Sequence, residues 1–140
     1  MNATMEKFGY PATLVRDFEY WVVLLRPAQV TLGSLILAAK SDATAFGDLP
    51  PAAHAELAPV TAYVEQLLSE AVAYDRINYL MLMMVDPHVH FHIFPRYEAP
   101  RTFESVTVED MGWPGPPDLK SGKDLPAPVF ERLRLQLAGN

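Results

Sequence analysis

Two hydrophobic periods alternate along the chain. Tyr20-Trp21-Val22-Val23-Leu24-Leu25 leads through Arg26 to Pro27-Ala28-Gln29, and then Val30-Thr31-Leu32-Gly33-Ser34-Leu35-Ile36-Leu37 follows. Aromatic and β-branched runs on either side of a proline breaker predict two strands joined by a short turn. Asp48 is placed to cap a helix whose first turn holds Pro50 and Pro51, where a missing N–H costs little. Val60, Tyr63, Val64, Leu67, Leu68, Ala71 and Val72 then recur at the three-and-four spacing of a helix that buries one face, and Pro59 predicts a kink. The run from Ile77 to Val85 has no polar face, so it reads as a central strand, with a buried helical segment as the alternative on periodicity alone. Asp86-Pro87 turns the chain into His88-Val89-His90-Phe91-His92-Ile93-Phe94, the clearest period-two alternation in the sequence, which Pro95 ends.

Beyond Arg96 the composition changes. Seven of the 13 prolines lie between Pro95 and Pro128, which predicts a tail with little sheet, and Val129, Leu133 and Leu137 mark a last helix facing the body. The order strand, strand, long helix, strand, strand gives an α+β class. It predicts an antiparallel sheet of about five strands with the long helix over one face and a C-terminal helix.

At 140 residues, half of them hydrophobic, the chain reads as one domain over 1–140, with a core of about 15–100 and a proline-rich extension of about 101–140. It has no cysteine, so neither disulfides nor thiolate metal sites are expected to hold it together. No basic-then-apolar leader and no membrane-length apolar stretch is present, so a cytoplasmic protein without a membrane partner is expected. The net charge of −6 argues against nucleic acid as a partner but leaves room for a small anion where cations gather locally.

Three of the four histidines stand at His88, His90 and His92. On a strand, residues two apart share a face, so the imidazoles line one surface while Val89, Phe91 and Ile93 turn toward the helix. Such a row can ligate a metal, act as acid, base or nucleophile, sense pH, or simply be a solvated polar face. A zinc or copper site is short of ligands, because the fourth histidine, His54, lies on the predicted helix, though a carboxylate would complete it.

The segment His88–Phe94, continued by Pro95-Arg96, resembles the signature of the histidine triad family, and the order of elements over roughly residues 15–100 is similar to that family's. The resemblance implies nucleotidyl transfer. The middle histidine, His90, would attack the α-phosphorus of a nucleotide, such as a dinucleoside polyphosphate or a nucleoside phosphoramidate. A covalent nucleotidyl-histidine would form, and water or another acceptor would release the monophosphate. A neutral imidazole suits this role once an acceptor, commonly a backbone carbonyl, fixes its tautomer. The flanking His88 and His92 would orient His90, hydrogen-bond nonbridging oxygens or assist the leaving group, with phosphate contact assigned first to His92 and a structural place as the alternative for His88.

Arg96 is the first candidate for a phosphate or partner-subunit contact, with Arg101 and Lys40 behind it. Each is weighed against an ordinary surface cation. Where many relatives carry a Gly-His pair, this chain has Gly33-Ser34, which makes Ser34 the substrate-binding candidate there. The glycine-containing loop that often precedes the triad is reduced to Met83-Met84-Val85-Asp86-Pro87. The resemblance further implies no metal for the chemistry, with Mg2+ entering only on a polyphosphate substrate, and homodimerisation at an uncovered sheet edge. Trp113 is read as an anchor for the tail, with stacking on a base as the alternative. The methionines at 81, 83 and 84 are read as core filling, and His54 as a surface residue. Two other readings stay open: a nucleotide-binding protein with little turnover, and a histidine-rich metal-binding domain.

Overall fold

In the computed structural model, which describes residues 1–140, five antiparallel strands form one sheet in the order β1 (Leu14–Asp17), β2 (Trp21–Leu25), β4 (Leu35–Ala39), β6 (His90–Arg96) and β5 (Arg76–Leu80). The long helix α2 (Pro51–Val72) crosses one face, burying Ala53, Val60, Val64, Leu68 and Val72 against inward residues of β2, β4 and β6. The Trp21 indole N–H donates to the Ala53 carbonyl at 2.8 Å, so the largest buried side chain has its one polar atom satisfied. The C-terminal helix α3 (Ala127–Leu137) adds Val129, Leu133 and Leu137 to the same core, as the sequence predicts, and closes it beside β1.

The second face of the sheet is covered as well, which the sequence did not announce. A short helix α1 (Ala3–Lys7) lies across it, with Met5 and Phe8 packed on Val22, Leu24, Ile36 and Ala38. Asn2 holds this helix twice over. Its side-chain oxygen accepts from the Met5 amide at 3.0 Å as an N-cap, and its amide nitrogen donates to the carbonyls of Ala39 and Ser41, each at 3.0 Å. Cover on both faces explains why every residue of β2 and β4 is buried.

Several expectations are corrected. The run from Ile77 is an edge strand rather than a central one, because β6 takes the inner place between β4 and β5. The strand stops at Leu80 and the rest of the run is loop, with Met84 82% and Val85 84% exposed, so Met84 is not core filling. Asp48 belongs to a 3-10 turn over Phe46–Asp48, and the N-cap of α2 is Pro50, without a side-chain bond. Helix α2 runs unbroken through Pro59, whose ring sits on the exposed side.

The tail contains more sheet than its prolines suggest. A hairpin of β7 (Arg101–Phe103) and β8 (Val106–Val108) is followed by β9 (Lys123–Asp124), which pairs with β3 (Ala28–Gln29). Between β3 and β4 the chain reverses at Gly33, whose φ of +91° favours glycine and where a Cβ would press on Leu68 at 3.2 Å and Pro95 at 3.4 Å. No helix is long and apolar enough to cross a membrane.

Candidate active site

Strand alternation turns His90 and His92 to one face, whereas the expected third member of the row, His88, lies before the strand, because β6 begins only at His90. His90 and His92 pair with Ala38 and Ile36 of β4 and face α1, while Phe91 and Ile93 face α2 and join the main core. The Phe8 ring lies 5.7 Å from both the His90 and His92 rings, so α1 roofs the imidazoles and leaves them 2% and 8% exposed. His88 precedes β6 and is half-buried, with its Nδ1 3.0 Å from the Thr4 hydroxyl on α1.

Each ring has a distinct partner. Nδ1 of His90 donates to the His88 carbonyl oxygen at 2.7 Å, which leaves the lone pair of a neutral ring on Nε2. Nδ1 of His92 receives the Nε–H of Arg26 at 3.3 Å, and the His92 ring stacks on Phe94 at 6.1 Å and 12°. Burial first, and then the Arg26 charge, push His92 from its usual 6.5 down to about 4.

The imidazoles open onto a cleft of about 210 Å³ lined by Lys7, the loop at 82–86, His90 and His92. Met83, on that loop, has a φ of +38°. Asp86 accepts a 3.0 Å ion pair from Lys7, tying the pre-triad loop to α1 at the cleft mouth. The aliphatic loop residues make one wall apolar, and Lys7 puts a cation at the other.

The remaining candidates stand elsewhere. Arg96 shares the triad's face of β6 but lies at its far end, buried and fully engaged: Asp110 accepts at 2.7 and 3.0 Å, Asn78 at 2.7 Å and the Gly115 carbonyl at 2.9 Å. Ser34 is buried in the turn, where its hydroxyl donates to the Thr31 carbonyl at 2.6 Å. Neither side chain lines the cleft. Arg101 donates to the Val72 and Ala73 carbonyls at the end of α2, and Lys40 pairs with Asp17 at 2.6 Å, so both complete the scaffold. Trp113 sits beside Arg76, Asn78 and Arg96 at the β5 edge, and His54 is exposed on α2 against Phe46.

Sequence reasoning missed Arg26, Lys7, Thr4 and Phe8. Arg26 ends a strand as many surface arginines do, and the N-terminal residues carry no periodicity long enough to announce a helix over the site. No group of three or more His, Asp or Glu side chains converges in a metal-holding arrangement.

No protein-family model and no curated protein matches the chain. Solved structures do. A histidine triad protein from Sinorhizobium meliloti aligns with a TM-score of 0.77 at 20% identity, covering 100% of this chain and 95% of its own. A histidine triad protein from Bradyrhizobium japonicum aligns at 0.73 and 20%, covering 98% and 93%. A hypothetical histidine triad nucleotide-binding protein from Sulfolobus tokodaii aligns at 0.71 and 22%, covering 91% and 81%. The fold of this chain is the histidine triad fold.

Proposed function

We propose that the protein is a nucleotide hydrolase or transferase in which Nε2 of His90 attacks the α-phosphorus of a nucleotide. The observation that carries this reading is the 2.7 Å bond from His90 Nδ1 to the His88 carbonyl, which reserves the Nε2 lone pair for a ring that lines the cleft. In the first step an N–P bond forms at Nε2 while the leaving group departs with its bonding pair and takes a proton from solvent. The nucleotidyl-imidazole then carries a positive charge that the His88 carbonyl dipole stabilises. In the second step water adds to phosphorus and releases a proton, the N–P bond breaks, and Nε2 regains its lone pair. Splitting the displacement in this way lowers each barrier, and Lys7 at the cleft mouth offsets phosphate charge.

The imidazoles supply this chemistry without a resident metal, and Mg2+ enters only as the counter-ion of a polyphosphate substrate. The name of the Sulfolobus tokodaii relative, which includes nucleotide binding, agrees with the ligand class proposed. A second reading, nucleotide binding with slow turnover, draws on the Phe8 roof that leaves His90 2% exposed. Homodimerisation is proposed through β5, an unpaired edge next to the exposed Leu82, Met84 and Val85.

Monophosphate release from diadenosine polyphosphates and adenosine phosphoramidate, followed for wild type and His90→Ala, tests the reading. Turnover lost in the variant is expected. Tight binding of adenosine monophosphate with no turnover of any substrate would favour the second reading.

A further inference from the structure

We infer that Arg26 is a positioning residue that locks His92 as its Nε2–H tautomer, so that neighbouring triad rings meet a phosphoryl group oppositely, His90 with a lone pair and His92 with a hydrogen-bond donor. A guanidinium has donors only and stays protonated at any working pH. Its Nε–H at 3.3 Å from His92 Nδ1 therefore meets a lone pair there, and the proton of the neutral ring belongs on Nε2. His90, 5.1 Å away ring to ring, has the reverse arrangement, because its Nδ1 faces a carbonyl oxygen that can only accept.

Arg26 has little freedom to turn aside. Its Nη1 donates to the Ala28 carbonyl at 2.6 Å, and its guanidinium carbon lies 5.6 Å from the Phe94 ring centroid. Its backbone N–H donates to the Ser34 carbonyl at 3.0 Å, and its own carbonyl accepts from the Gln29 amide at 2.6 Å. The turn carrying Gly33 and Ser34 thus serves the site indirectly, by aiming Arg26.

The charged and titratable groups around His92 agree. Arg26 from the end of β2, His90 on β6 and Lys7 from α1 all oppose a proton on the ring, and only Asp86 from the pre-triad loop favours one. A second proton would also set an N–H of His92 against the Arg26 N–H. His92 consequently donates a hydrogen bond to a nonbridging oxygen without giving up its proton, which removes it as general acid. This inference rests on the nucleotidyl-transfer reading for its catalytic meaning, while the tautomer itself can be read without any substrate.

The test is a long-range proton–nitrogen correlation spectrum of the uniformly nitrogen-15-labelled full chain at pH 7. Wild-type His92 is expected with Nδ1 bare and Nε2 protonated, and His90 the reverse. Arg26→Met should convert His92 to a mixture of tautomers and raise its titration midpoint by at least about one unit. Arg26→Gln, which loses the charge but keeps an amide donor, is measured in parallel in case the shorter apolar side chain unsettles the turn; it should raise the midpoint while favouring the same tautomer. A wild-type His92 protonated on Nδ1 would overturn the inference, and so would an unchanged tautomer in folded Arg26→Met or an unchanged midpoint in both folded variants. Absence of turnover with the expected ring pattern would instead count against the nucleotidyl-transfer reading alone.

Discussion

The carbonyl oxygen of His88 accepts a 2.7 Å hydrogen bond from Nδ1 of His90, so the triad residue before the proposed nucleophile meets its ring through the backbone. The His88 side chain points to a different partner, the Thr4 hydroxyl at 3.0 Å. Substituting the two histidines should therefore have unequal effects. His88→Ala leaves the carbonyl in place and should retain a measurable fraction of turnover. His90→Ala removes the nucleophile and should lower kcat by at least about a thousandfold. Steady-state monophosphate release from both variants checks the contrast.

Acid should destabilise the fold through His92. Its folded-state value, pushed down to about 4, lies below its unfolded value near 6.5. Above pH 6.5 the ring is neutral in both states and its contribution is fully present. As pH falls from 6.5 toward 4, the unfolded chain takes up a proton that the folded protein refuses, and up to about 3 kcal/mol is lost. Urea midpoints at pH 7 and pH 4.5 should converge in His92→Asn relative to wild type, because this component of the slope disappears.

Arg96 and Asp110 form a buried ion pair, with side-chain exposures of 4% and 1%. Asp110→Ala leaves a buried guanidinium without its carboxylate and should cost about 3 to 5 kcal/mol in urea denaturation. Arg96→Met together with Asp110→Leu should cost considerably less, since no unpaired charge remains. A small effect of Asp110→Ala would instead mean that Arg96 has other partners for its charge.

Lys7 and Asp86 meet at 3.0 Å with the lysine half exposed, so the pair contributes under about 1 kcal/mol to stability. Lys7 also lines the cleft. Lys7→Ala should thus leave the melting temperature nearly unchanged while raising KM severalfold, with the larger effect on the more highly charged substrate. Calorimetry and steady-state kinetics on one preparation separate the two effects.

The parts of this protein legible in its sequence are those governed by a sustained period. Alternation marked the shared face of His90 and His92, although His88 lies before the strand, and the three-and-four spacing from Val60 to Val72 marked the buried side of α2. Short elements escaped, because α1 has five residues and its position over the sheet depends on Asn2 reaching Ala39 and Ser41 across a long sequence separation. The apolar run after Ile77 misled because hydrophobicity does not distinguish a buried strand from an exposed loop beside a cleft. Arg96 misled because a cation next to a triad looks the same in sequence whether it faces a ligand or Asp110.

The most direct measurement of the central claim is to trap the covalent intermediate. Wild type is mixed with a nucleotide substrate labelled at the α-phosphate, denatured in mid-turnover under mildly alkaline conditions, and digested. The account predicts label retained on the peptide containing His90, and none in His90→Ala. Turnover by wild type with no protein-bound label at any quench time, or with label on a peptide lacking His90, would contradict it.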